Sequence, residues 1–310
     1  MPPVLRAARS ADLPQVFDLI ETAFPEAPRA LFTGQTLRDS TFRLRYARVA
    51  VIDGAIAGYV RIFARRMLVR GAPVAAGGIG SVATRPDARG NGIATALLRD
   101  AIAQMRREGM AVSFLFTGIP AFYERLGYRV VRQPEFTIAR NDVLARAGAP
   151  ARIRTAAPGD LPQLASIYNS AITGATGAIA RTRQTWADAR HWLDERPCLV
   201  ATDAGGRVVA YVRSRCRTFG HQLLEAECRP GAEGALRPLL AAVAAAPCGC
   251  GEVIVAWVPA CHPLCTLLRS FPGATETTDV RFPMMLLPLD PAISGVLARA
   301  PLYFWNSDRI

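Results

Sequence analysis

The sequence predicts a mixed α/β fold that occurs twice along the chain, and three paired segments lead to this prediction. Residues 5–15 (LRAARSADLPQ) resemble residues 153–163 (IRTAAPGDLPQ), and GYVRI at 58–62 resembles AYVRS at 210–214. Two stretches beginning with Arg-Pro, at 85 and 229, follow in the same order. Nearly constant offsets of this kind are typical of an internal duplication. We therefore expect one domain over 1–148, a second over 149–290 and an aromatic tail over 291–310.

The elements of the first copy follow from apolar spacing and from residues that begin or end helices. Asp12 is a plausible N-cap, Gly109 ends a helix, and Pro120 lies in the first turn of a short one. The expected order begins with a strand near 4–7, a helix over 12–23, an irregular or short-helical connection over 25–43, and strands near 46–52, 56–64 and 74–84. A helix over 89–107, a buried strand over 111–116, a short helix and a final strand near 128–138 follow.

Composition indicates a globular protein with a polyanionic partner. Of the 310 residues 51% are hydrophobic, and the net charge is +12 with 37 basic residues, all arginine. Nucleic acid, an acidic surface and a phosphorylated cofactor all fit this charge, but the arginines are scattered without an interleaved stripe of aromatic residues, which argues against nucleic acid. The N-terminus lacks the pattern of a signal peptide, so we expect a cytoplasmic protein without a membrane partner. The seven cysteines, all between 198 and 265, are then expected to be reduced.

A glycine-rich turn, RPDARGNGIATALL at 85–98, precedes a predicted helix. A dinucleotide fold would place three glycines after its first strand, and a P-loop would need a lysine, which this chain lacks. The free backbone N–H groups and dipole of the helix start make an anion site. Gly90 and Gly92 let a pyrophosphate approach the backbone, and Arg89 adds a charge-assisted contact.

Two motifs resemble one known family. RGNGIA at 89–94 matches the Arg/Gln-x-x-Gly-x-Gly/Ala signature of the GCN5-related N-acetyltransferase (GNAT) family, and AFYERLGYRVV at 121–131 is similar to a later family segment. The tandem layout resembles the N-terminal and central domains of enhanced-intracellular-survival-type acetyltransferases. This resemblance implies two tandem GNAT-like domains, each a mixed, mostly antiparallel central sheet flanked by helices.

The resemblance also implies acetyl-CoA as donor and supplies a set of site residues. Its pantetheine would lie near Val82 and Ala83, with a backbone N–H of this pair as the oxyanion donor, and Tyr123 would be the acid near the sulfur. The implied pyrophosphate contacts are Arg89, Gly90, Asn91, Gly92, Ile93 and Ala94.

The base is less well defined by the sequence. Many family members carry a glutamate on the strand before the glycine motif, where this chain has AAGGIGSV. Glu26, Asp39 and a water chain are candidates. The tail LYFWNSDRI at 302–310 either supplies the carboxylate of Ile310 to the first domain, as the resemblance suggests, or packs across the two domains.

The second copy departs from the motif. Glu233 stands where the first copy has Arg89, and no Phe-Tyr-Glu segment follows. We expect that this domain does not bind CoA and instead shapes or covers the acceptor cleft. Cys248, Cys250, Cys261, His262 and Cys265 suggest zinc, but the predicted strand between the two clusters separates them, so free thiols and no metal are favoured.

The sequence therefore predicts an N-acetyltransferase whose first domain transfers acetyl directly, in a ternary complex, to a primary amine of a small molecule or peptide. The alternative is a non-catalytic acyl-CoA-binding sensor or scaffold. The acceptor is not specified by the sequence, and a homo-oligomer is compatible with it.

Overall fold

A computed structural model describes residues 2–26, 29–148, 151–188, 198–248 and 251–308. Two seven-stranded sheets flanked by helices confirm the predicted fold class. The helices are α1 (Leu13–Ala23), α2 (Arg29–Leu37), α3 (Ile93–Arg107), α4 (Pro120–Glu124), α5 (Arg140–Leu144), α6 (Leu161–Ala171), α7 (Arg183–Asp188), α8 (Leu236–Ala245), α9 (Leu264–Arg269) and α10 (Pro291–Arg299).

The first sheet has the strand order β1-β2-β3-β4-β5-β14-β6. Its strands are β1 (Val4–Ala7), β2 (Ala47–Ile52), β3 (Ala55–Val69), β4 (Ala72–Thr84), β5 (Val112–Phe116), β6 (Arg129–Val130) and β14 (Met284–Pro288). The β4–β5 pair is parallel and the other pairs are antiparallel.

The second sheet repeats this plan in the order β13-β7-β12-β11-β10-β9-β8, with a parallel β11–β12 pair. Its strands are β7 (Glu135–Ala139), β8 (Arg152–Thr155), β9 (Cys198–Thr202), β10 (Val208–Arg217), β11 (Gly220–Cys228), β12 (Val253–Trp257) and β13 (Thr275–Thr277).

The two halves of the chain exchange a strand. β7 pairs with β12 in the second sheet, and β14 pairs with β5 in the first. The single strand expected near 128–138 is therefore wrong: β6 and β7 lie in different sheets. The exchange arises because the apolar strands β5 and β12 each need a hydrogen-bonding partner on the edge away from the parallel pair.

Helix α3 packs closely on the first sheet and so fixes where the glycine-rich turn ends. Leu97, Leu98 and Met105 of this helix are fully buried against β3 and β4. A Cβ atom on Gly77 would lie 2.1 Å from the sulfur of Met105, so only glycine allows this approach. The predicted helix over 89–107 begins at Ile93, and the residues before it form the turn.

A seam of backbone pairing joins the two sheets. The long C-terminal part of β3 pairs with the segment 175–180 of the second half, where Leu68 N donates to Ala178 O at 2.8 Å. The tail packs beside this segment, with Tyr303 N donating to Thr176 O at 2.8 Å. The predicted tail region begins with α10 and continues as this extended stretch.

The tail residues alternate between the two domains. Leu302 and Phe304 pack with the cluster that contains Phe114 of β5, whereas Tyr303 and Trp305 belong to the core of the second domain. This period of two is that of an extended chain. Residues 302–305 therefore pack across the two domains, as one of the two alternatives for the tail expected, and the position of Ile310 lies outside the described residues.

The expectation of reduced cysteines is wrong at two positions, since Cys216 and Cys248 form a disulfide between the end of β10 and the residues after α8. The strands place these side chains together although they are 32 residues apart. Cys198, Cys228, Cys261 and Cys265 are free, and Cys250 lies outside the described residues. Among the described helices, none combines the length and the apolar character that crossing a membrane requires.

We predict that Trp305→Ala lowers the free energy of unfolding by about 3–5 kcal/mol, because this fully buried ring leaves a cavity. Leu37→Ala, at an exposed side chain, is the control and should change it by less than about 0.5 kcal/mol. Urea unfolding measures the free energy of unfolding of both variants. It is followed by far-UV circular dichroism, a signal that does not depend on Trp305. Equal unfolding curves for the two variants would contradict the conclusion that packing of the tail stabilises the fold.

Candidate active site

The parallel strands β4 and β5 separate in the middle of the first sheet. They pair only from Ala76–Val112 to Gly78–Phe114, although β4 runs on to Thr84. Against β3 the register of β4 shifts between the pairs Tyr59–Ala83 and Arg61–Gly80. Ser81 and Val82 therefore oppose one residue, and a bulge of this kind leaves backbone groups unpaired.

Ser81 has a φ of +51°, a left-handed conformation that is uncommon for a residue with a side chain. It lies at the bulge, where β4 has left β5. The sequence did not reveal this feature, because serine carries no signal for it. The bulge, with Val82 and Ala83 beside it, lies on the part of β4 that has separated from β5.

The turn that follows β4 contains Gly90 and Gly92 and leads directly into α3. Gly90 and Gly92 have φ of +81° and +74°, and a Cβ built on either would meet no protein atom within 4 Å. Gly92 is the N-cap residue and has no side chain to cap the helix, so the N–H groups of Ile93, Ala94 and Thr95 lack intrahelical acceptors. This combination suits an anion at the backbone.

The side chains of this turn are held at its edges. Arg89 is exposed, and its Nε donates to Thr84 O at 3.2 Å. The amide of Asn91 donates to Ala88 O at 3.3 Å. Arg85 and Asp87 form an ion pair across the beginning of the turn. None of these contacts covers the N–H groups at the start of α3.

Tyr123 lies in α4 and is more buried than its neighbour Phe122. Its ring packs edge-on against Phe122 and Tyr128. Burial raises the pKa of its hydroxyl to about 12, so the group stays protonated. The hydroxyl makes no hydrogen bond within the described part of the chain. In contrast, Tyr128 is bonded to Ser113 at 2.7 Å.

Asp39 is not available as a base, because it anchors the connection between α2 and β2. It binds Arg61 at 2.8 Å and Arg65 at 3.1 Å on β3, and it accepts bonds from Thr41. Burial acts to raise the pKa of Asp39, but the two guanidinium groups outweigh it and hold the pKa below its ordinary value. Glu26 is exposed.

The same connection is held by the second domain. Ser40 N donates to Asp188 of α7 at 3.1 Å, and the Ser40 hydroxyl binds the same carboxylate. The segment from Thr36 to Thr41 is thus fixed between β3 on one side and α7 on the other. The sequence could not reveal the contact between Ser40 and Asp188, because these residues are 148 positions apart in the chain.

The sequence of the first domain matches a family model described as an acetyltransferase (GNAT) domain over residues 4–131. This part of the chain is a GNAT domain. An uncharacterized N-acetyltransferase of Streptomyces coelicolor is 30% identical over 177 residues, which cover 53% of this chain and 42% of that protein. The chain thus spans less than half the length of the curated relatives it matches.

Solved structures share the whole two-sheet arrangement. A probable N-acyltransferase from Enterococcus faecalis aligns with a TM-score of 0.72 at 20% identity, over 94% of this chain and 73% of that one. Eis1 from Mycobacterium abscessus aligns with a TM-score of 0.63 at 19% identity, over 93% and 74%. At these identities the likeness shows the fold alone, and it is a fold of tandem GNAT-like domains.

The second domain repeats the geometry of the GNAT domain but fills the corresponding space. β11 and β12 pair only from Gly220–Val253 to Leu223–Ala256 and then separate. At the turn after β11, the carboxylate of Glu233 accepts a bond from Gly231 N at 3.0 Å. Bonds from its own N–H and from Gly231 lower the pKa of Glu233. A carboxylate of the chain thus binds N–H groups of this turn.

The tail occupies the space beyond the separation of β11 and β12. Tyr303 and Trp305 donate to the same oxygen of Glu227 at 2.6 and 2.7 Å, and Ser307 binds Glu225. Burial acts to raise the pKa of Glu225, but Arg181 and Arg213 lower it to about 2. The tail is therefore anchored on two buried carboxylates of β11 that the sequence analysis did not identify.

Two of the predicted site features are not brought together in the structure. Ile310 lies outside the described residues, so its proposed role stays a prediction. The cysteines and His262 form no group that could hold a metal among the described residues. The disulfide takes Cys248 away from Cys261, His262 and Cys265, which lie beyond the opposite end of β12.

Proposed function

We propose that the GNAT domain transfers the acetyl group of acetyl-CoA directly to a primary amine of a small molecule or a peptide. The observation that carries the proposal is the open turn at the start of α3, next to the gap between β4 and β5. In the second domain the corresponding turn is occupied by Glu233 and the gap by the tail, so we assign CoA binding to the first domain only.

The residues of the turn fit a pyrophosphate. The free N–H groups from Gly90 to Ala94 supply hydrogen bonds, and the helix dipole favours negative charge. The guanidinium of Arg89 is close enough to the turn to add a charge-assisted contact. When bound, acetyl-CoA supplies the activated acyl group as a thioester.

The chain's own groups then stabilise charge and move protons. An unpaired N–H at the bulge near Val82 and Ala83 serves as the donor to the oxyanion. Tyr123 donates its proton to the departing thiolate. Its environment supports this role, because its hydroxyl has no partner in the described chain and its pKa of about 12 keeps it protonated.

The proton of the amine must go to a group other than Asp39, because Arg61 and Arg65 bind the Asp39 carboxylate. We propose the C-terminal carboxylate of Ile310 as the acceptor. The supporting contact is that of Phe304, which packs on Phe114 and Phe116, so the tail passes the end of β5 where the gap begins. The bond from Ser40 to Asp188 lets the second domain fix one wall of the acceptor side.

We predict that Gly90→Ala weakens CoA binding about tenfold or more. The new methyl group enters the space that the phosphate approaches, and one lost charge-assisted hydrogen bond costs about 1.5–3 kcal/mol. Isothermal titration calorimetry with CoA is the measurement.

Gly231→Ala is a matched control for Gly90→Ala. Gly231 has the same φ of +81° and the same open surroundings, so it carries the same backbone strain of about 1–2 kcal/mol. Its affinity for CoA should equal that of the wild type. If Gly231→Ala weakens CoA binding as much as Gly90→Ala, the assignment to the first domain fails.

We also predict that Tyr123→Phe lowers kcat by about 100-fold in a thiol-release assay with acetyl-CoA and a panel of amines, because the general acid is lost. CoA affinity should stay unchanged. Tyr128→Phe is the control: it removes the bond to Ser113 and should cost about 1 kcal/mol of stability but little turnover.

The assay also separates the enzyme from the alternative function. A wild-type protein that binds CoA but releases no thiol with any amine would support a non-catalytic acyl-CoA sensor. Wild-type turnover that is unaffected by Tyr123→Phe would instead remove Tyr123 from the mechanism while leaving the acetyltransferase assignment intact.

A further inference from the structure

The second domain contains a cavity of about 550 Å³ where its strands separate. The cavity lies between the end of β11, the turn from Pro230 to Glu233 and the residues that lead into α9. These elements follow the same order as β4, the glycine turn and α4 in the first domain. The cavity is therefore the part of the second domain's cleft that the tail leaves open.

The charge of this cavity is opposite to that of the glycine turn. Its polar lining side chains are Thr173, Thr176, Glu227, Cys228, Glu233, Cys261, His262 and Tyr303. No arginine occurs among the described residues that line it, although the chain has 37 basic residues and a net charge of +12. The walls are completed by small apolar groups, which include Pro230, Pro263 and Pro301.

Glu227 is a buried carboxylate without an arginine partner in the described chain. It is 1% exposed, and its partners are Tyr303, Trp305 and His262. His262 Nδ1 accepts a bond from Leu264 N at 3.1 Å, so Nε2 is the ring nitrogen that faces Glu227, at 3.3 Å.

The neighbouring Glu225 shows the contrast. It lies two residues earlier on β11 and is neutralised by Arg181 and Arg213. A buried charge is expensive unless a charge of opposite sign is near it. Glu227 lines an open cavity and has no arginine partner in the described chain; its ring neighbour is His262 at 3.3 Å. The cavity therefore leaves room for a positive charge that a ligand brings.

Glu233 adds a second carboxylate to the lining of the same cavity. The N–H groups of its own turn keep it ionised, and its presence makes the turn unsuitable for phosphate. The cavity has two carboxylates, apolar walls and no arginine among the described residues that line it. A ligand that fits this lining has a positive head and a short apolar body.

We propose that this cavity binds a small organic ammonium ion, with its positive head between Glu227 and Glu233. The site is separate from the glycine turn of the GNAT domain, and its occupancy does not depend on acetyl transfer. It gives the second domain a binding function of its own in place of CoA.

Cys261 supplies a direct readout, because it is free, exposed and part of the cavity lining. We expect n-butylammonium to slow the alkylation of Cys261 by iodoacetamide. The full chain is alkylated and then digested, and mass spectrometry measures how much of Cys261 has reacted. A ligand at about ten times its dissociation constant leaves about one-tenth of the sites open and slows the reaction about tenfold. The neutral n-butanol and equal concentrations of sodium chloride should give no protection.

Glu233→Gln tests the charge without disturbing the core, because this side chain is exposed. We expect it to raise the concentration of n-butylammonium needed for half-protection about tenfold. Glu252→Gln, an exposed carboxylate before the opposite end of β12, is the matched control and should leave it unchanged.

Three outcomes overturn the proposal. They are no protection by n-butylammonium, equal protection by n-butanol, and equal protection of the wild type and Glu233→Gln. CoA affinity measured on the same samples reports separately on the GNAT domain, so failure of one site is distinguishable from failure of the other.

Discussion

The separation of a short parallel strand pair is the constraint on which both domains depend. β4 leaves β5 after Gly78, and β11 leaves β12 after Leu223, so each sheet contains a gap with backbone groups along its sides. Such a gap must be filled by ligand, water or protein, because buried backbone groups need partners. What fills it decides whether a domain can bind a cofactor or serves as a support.

In the second domain the tail fills part of the gap and also joins the domains. Tyr303 and Trp305 reach Glu227 in the second core, while Phe304 between them packs on β5 of the GNAT domain. The exchanged strands β7 and β14 strengthen the same connection. In our proposal the second domain does not bind CoA, and the tail residues that enter its gap also pack against the GNAT domain.

Local patterns in the sequence were sufficient for part of this account. The duplication, the fold class and the glycine turn follow from short motifs, because helix ends and tight turns are determined by neighbouring residues. The special backbone at Gly90 and Gly92 is of this kind. The GNAT assignment, which depended on two such motifs, is confirmed for the first domain.

Features that depend on distant partners could not be predicted. The strands EFTIA and MMLLP have apolar patterns that fit either sheet, so the exchange is set by which edges remain unpaired. The sequence allowed Asp39 as a base, because its ion pairs with Arg61 and Arg65 of β3 depend on the fold. The disulfide was missed for the same reason, since β10 and the chain after α8 bring Cys216 and Cys248 together.

The stoichiometry of CoA binding tests the central claim most directly, because the two domains share one plan and are proposed to differ in one site. Isothermal titration of the full chain with CoA should give one molecule bound per chain. Two molecules per chain would show that Glu233 and the tail do not close the second cleft. No binding would show that the open turn of the GNAT domain is not a CoA site.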